Sequence, residues 1–123
     1  MSKDYQGHPG FIAVLDEIRA MHIKKGRDYG TDKDTFANVR ASEEFGIPAW
    51  QGAVLRANDK MARLKTFCQK GTLANEGVED SLLDAANYFA IALVLFREAH
   101  DIEPLGELVS VPAETHTKPD GVF

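Results

Sequence analysis

The sequence predicts an all-α protein, a compact bundle of about four helices followed by an irregular C-terminal tail. Three observations point there. Apolar residues recur at three- and four-residue steps, no segment alternates with period two, and glycines or prolines stand at the ends of the periodic runs. With 123 residues, 44% hydrophobic and 27% charged, the chain has the size and balance of one globular core. The pattern predicts a helical domain over residues 1–101 and an extended or flexible tail over 102–123.

The elements follow in order. After Pro9 and Gly10, the residues Phe11, Val14, Leu15, Ile18 and Met21 fit one helix face, and Gly26 and Gly30 end that run. Gly30 to Asp34 reads as a polar turn. A short helix follows, capped by Asp34 or Thr35 and stopped at Gly46, since Pro48 cannot extend it. The third helix runs from about Ala49 to Lys70, with Trp50, Val54, Ala57, Met61, Leu64 and Cys68 as its expected apolar seam and Gly71 as its stop. The fourth starts near Glu76 or Val78 and ends near His100. Its first turns carry Glu76, Glu79 and Asp80, which the helix dipole favours there. From Ala85 to Phe96 it is apolar nearly all round, as suits a helix surrounded by others. The tail holds Pro104, Pro112 and Pro119 and no sustained period.

Composition excludes several classes. Nineteen acids against fourteen bases give a net charge of −5, which disfavours a broad surface for a nucleic-acid polymer but leaves room for a local basic cluster. Cys68 is the only cysteine, so neither an intrachain disulfide nor a cysteine-based zinc site is expected, and it reads as a small buried hydrophobe. The N-terminus lacks an apolar signal region, and no run approaches a membrane span. The expected location is the cytosol, with no membrane partner. The four histidines have no metal-ligand spacing, and no phosphate loop of the P-loop or dinucleotide type is present.

One local conflict carries the chemistry. Glu76, Asp80, Asp84 and Asn87 succeed one another at steps of four, four and three, which stacks them on one helix face. That face continues into Ile91, Val94 and Leu95, which is core. Polar groups on such a stripe are costly unless they bind something, and carboxylates a turn apart repel without a cation or proton between them. Grouped oxygen ligands of this kind suit Mg2+. The plain alternative is that Glu76, Glu79 and Asp80 face water and satisfy the helix N-terminus. On the third helix, Arg56, Asp59, Lys60 and Arg63 share a broad face opposite the seam. A solvated, ion-paired face accounts for them. The sharper reading turns Asp59 toward the acids of the fourth helix and gives the bases to phosphates. Lys25 and Tyr29, at the end of the first helix, lie in a third basic element with glycines that could wall a phosphate or a base.

These blocks resemble a known family. Lys25-Gly-Arg-Asp-Tyr-Gly30, Phe45-Gly46-Ile47, Arg56-Ala-Asn-Asp-Lys60 with Arg63-Leu64, and Glu79-Asp-Ser-Leu-Leu-Asp84-Ala-Ala-Asn-Tyr88 look like the nucleotide modification associated domain family of phages and bacteria. The likeness spans about residues 10 to 100. More distantly, the chain is similar to the MazG-like all-α nucleoside triphosphate pyrophosphohydrolases, in which acids on two neighbouring helices hold magnesium. The resemblance implies hydrolysis of a nucleoside triphosphate to the monophosphate and pyrophosphate. Asp80, Asp84 and Asp59 would hold the metal, and Glu79 or Glu76 would act as general base. Lys25, Arg56, Lys60 and Arg63 would neutralise phosphates, while Asn87 and Tyr29 orient sugar or base. It also implies a homodimer or higher homo-oligomer, in the host cytoplasm if the gene is a phage's. The MazG-type signature is Glu-Glu-x-x-Glu on one helix and Glu-x-x-Asp on the next. Here the third helix offers only Asp59, and Ser81 stands three before Asp84, with Asp80 displaced by one. That departure favours a second reading, a non-catalytic nucleotide-binding sensor or sequestering protein. A helical interaction module with no ligand is the third.

Overall fold

The computed structural model describes residues 4–29, 34–72 and 77–103, and every regular element among them is helical. Helix α1 spans Pro9–Tyr29, α2 Ala37–Arg40, α3 Ala49–Lys70 and α4 Val78–Ala99, with a 3-10 turn at Ala41–Phe45 after α2. Residues 104–123, most of the expected tail, lie outside the described residues. No described helix is long and apolar enough to cross a membrane.

Helix α1 starts at Pro9 because His8 caps it. The His8 Nδ1 accepts the backbone N–H groups of Gly10 at 3.0 Å and Phe11 at 3.3 Å. Gly26 does not end the helix, which runs on to Tyr29. Its lack of a side chain serves packing instead, since a Cβ there would lie 2.8 Å from Thr35 Cγ2. The short second helix also begins later than expected. Asp34 organises the turn before it, accepting the Phe36 N–H at 3.0 Å on Oδ1 and the Arg40 Nε–H at 2.6 Å on Oδ2. Arg40 then reaches Glu98 Oε1 at 2.9 Å, which ties α2 to α4. Gly46, at φ 75°, stops the 3-10 turn as its sequence position foretold.

The bounds of α3 match the expected ones, and Gly71 at φ 77° closes it by donating to Phe67 O at 2.7 Å. Its buried seam meets the expected one only at Ala57. Ala49, Gly52, Ala53 and Ala57 are buried, whereas Met61 and Cys68 are exposed. Small residues let the backbones approach closely, and the bulkier row of Trp50 and Val54 packs only at the margin of the core. A Cβ on Gly52 would stand 2.5 Å from Ser42 Oγ and 3.1 Å from Val39 O. Gly52→Ala is therefore expected to cost about 1–3 kcal/mol through overpacking. The measurement is a urea midpoint at unchanged slope, and an unshifted midpoint would show that the 3-10 turn yields freely.

Helix α4 pairs antiparallel with α3, since Trp50 meets Phe96 edge-on at 5.3 Å while Lys60 meets Asp84 near the other end. The core between them holds Val39, Ala53, Ile91, Ala92 and Leu95. After Ala99 the chain reverses: Asp101 takes φ 53° and the Ile102 N–H returns to Arg97 O at 2.9 Å. Contrary to expectation, α4 is not surrounded by the described helices. Leu82, Phe89 and Leu93 are 54%, 49% and 49% exposed and form a row separate from the Asn87, Ile91 side that α1 meets.

Candidate functional site

Asp84 is the centre of the site. Its position on α4 faces both neighbouring helices, and its side chain is only 8% exposed. Lys25 Nζ of α1 donates to Oδ1 at 2.9 Å, and Lys60 Nζ of α3 reaches Oδ2 at 2.9 Å. Three helices thus converge through one carboxylate and two ammonium groups. Burial alone would raise the Asp84 pKa. Hydrogen bonds and charge from both lysines outweigh it, and the carboxyl is held below its ordinary value. Of the expected polar stripe, Asp84 is 6% exposed and Asn87, one turn on, is 3% exposed.

The other expected residues spread out from this point. Asp80 precedes Asp84 by one turn on the same face and is exposed. Glu79 is exposed and lies about 140° round the helix from Asp84, so the fold does not bring them together. Arg56 and Asp59 are exposed, and Arg63 is half-buried. Lys60, expected on a face away from the seam, instead turns inward to Asp84. Glu76 and the side chain of Tyr29 lie outside the described residues. Among the described residues, no three or more metal-ligating side chains gather into one group.

Two cavities open along α1 and α4, the smaller of them beside Lys25. The smaller, about 20 Å³, is lined by Lys25, Gly26, Thr35, Asn38, Asn87 and Tyr88 among others. The larger, about 280 Å³, runs between α1 and α4 and has Leu15, Ile18, Ala90, Ile91 and Val94 as its apolar wall. His22, Phe36 and Asn87 line both. The His22 and Phe36 rings lie 5.9 Å apart, tilted by 38°. His22 and Phe36 escaped the sequence reading. The available signal was the three-residue step from His22 to Lys25, which sets both on one side of α1.

Neither a family model, nor a curated protein, nor a solved structure matches this chain. A buried carboxylate holding two ammonium groups accommodates cations at both oxygens, and the same ammonium groups can turn to phosphate oxygens as point charges.

Proposed function

We propose that this chain binds a nucleoside triphosphate at the Lys25–Asp84–Lys60 centre and hydrolyses it, with magnesium, to the monophosphate and pyrophosphate. The observation that carries the reading is the convergence of two lysines from different helices on one buried carboxylate at the edge of a groove. Lys25 and Lys60 bind the phosphates, and Arg63 and Arg56 extend the basic face along α3. Asp84 and Asp80 supply two carboxylates on one face of α4. That donor set suits magnesium, which keeps several waters and takes one or two carboxylates plus substrate phosphates. Asp84 and Asp80 would hold the metal, which would supply charge neutralisation at the phosphates and a more acidic attacking water. Self-association as a homodimer or larger belongs to the same proposal, supported by the uncovered Leu82, Phe89 and Leu93 row. So does a cytoplasmic location, the host's if the gene is a phage's.

One observation favours a second reading, a non-catalytic nucleotide binder. Both Asp84 oxygens are already engaged by lysines, while Asp59 and Asp80 face solvent. A panel of common and modified nucleotides with magnesium decides between them. Pyrophosphate release with at least one nucleotide is the expected result. Thermal stabilisation by a nucleotide without any product would leave the binder. A melting temperature indifferent to every nucleotide would remove both.

A further inference from the structure

The groove between α1 and α4 carries N–H donors and a positive charge but no acid. Arg19 and His22 line it from α1 and Asn87 lines it from α4. None of the three makes a hydrogen bond or ion pair to a described residue, although Asn87 is only 3% exposed. No acidic side chain lines the groove among the described residues, so the Arg19 charge has no counterion there. Leu15, Ile18, Ala90, Ile91 and Val94 form the apolar wall. His22 and Asn87 also border the smaller cavity beside Lys25, whereas Leu15, Ile18 and Val94 do not. The groove therefore runs from a polar end to an apolar one.

We propose that this groove binds a small amphipathic carboxylate, the anion of a medium-chain fatty acid. Arg19 takes the carboxylate, whose planar geometry its guanidinium matches, and the His22 and Asn87 N–H groups add donors. The alkyl chain lies along Ile18, Ala90 and Ile91 toward Val94. From Asn87 to Val94 the helix advances seven residues (94 minus 87), about 10 Å. The volume of about 280 Å³ lies near the small end of ligand pockets, and one short chain suits both dimensions. Charge selects this occupant over the apolar face of another protein, which would cover Arg19 without supplying an anion. The site is separate from the phosphate centre, since neither Lys25 nor Lys60 lines the groove.

The full chain is titrated calorimetrically with octanoate below its micellar concentration. Octanamide keeps the chain without the charge, and acetate keeps the charge without the chain. Octanoate is expected to bind, with both controls weaker by about tenfold or more. Arg19→Gln, at an exposed position of α1, should weaken octanoate by about tenfold, the loss of one charge-assisted hydrogen bond, and leave tripolyphosphate affinity unchanged. Ala90→Phe fills the groove from an exposed position without touching the buried amide, and it should abolish octanoate binding. Absence of octanoate binding overturns the site, as does octanamide binding as tightly as octanoate. Unchanged octanoate affinity in Arg19→Gln or in Ala90→Phe overturns it too. Self-association that Ala90→Phe abolishes, with no octanoate bound by the wild type, gives the groove to a second copy of the chain instead.

Discussion

Asp84→Asn lowers the melting temperature by roughly 8–12 °C and separates binding from turnover. The amide keeps the shape of the carboxylate but removes the anion that Lys25 and Lys60 share, each 2.9 Å from it. Unpairing a fully buried charge costs about 3–5 kcal/mol. The lysine side chains are 32% and 19% exposed, so water screens part of this and about 2–3 kcal/mol remains. Tripolyphosphate should bind as well as before or better, because Asp84 no longer competes for the two ammonium groups. Pyrophosphate release should fall by at least about a hundredfold, the low end for losing a group that acts on the transition state. Undiminished turnover would take Asp84 out of the chemistry. An unchanged melting temperature would contradict the ion-paired account of its burial.

The double change Lys25→Met with Lys60→Met reverses the sign of the acid response. In the wild type, the folded Asp84 pKa is below its unfolded value. Its contribution to stability is thus present above the ordinary carboxylate pKa of about 3.9, and is lost as the pH falls through the lower folded value. Without the lysines, only burial acts on the carboxyl, and burial raises the pKa. Asp84 then opposes folding at neutral pH and ceases to do so once protonated. Stability of the double variant relative to wild type should rise as the pH drops from about 7 toward 4. Urea midpoints measured across that range decide it, and two parallel curves would mean that Asp84 titrates alike in both proteins.

The sequence was most legible where one physical rule acted alone. The Ala49–Lys70 bounds and the Gly46 and Gly71 stops follow from chain stiffness and left-handed backbone, and the structure has them where the pattern put them. The Asp84 and Asn87 stripe was equally legible, because a polar group on a core-facing row is a local contradiction. The seam of α3 was not. Periodicity counts apolar side chains, and it favoured the bulky row through Met61 and Cys68 over the small row through Gly52 and Ala53, where close approach decides burial. Lys60 illustrates the same limit. A lysine reads as solvated until a carboxylate on another helix is known to wait for it, and that partner is 24 residues away in sequence (84 minus 60). His8 as a cap was missed because imidazole is an uncommon substitute for serine or aspartate.

The site also sets how the molecule breathes. α3 and α4 are neighbours in sequence and share most of the packing, whereas α1 rests on α4 along a thinner seam and leaves Phe11 and Leu15 largely in solvent. Lifting α1 away would cost less than opening the hairpin, and it would carry Lys25 off Asp84 and open the groove. Amide protons of α1 should therefore exchange through this partial opening while those of α3 wait for global unfolding. A ligand bridging Lys25 and Lys60 would close that route, so its binding would register as slowed exchange in α1. Its measured affinity would carry the fraction of molecules in which α1 is already docked.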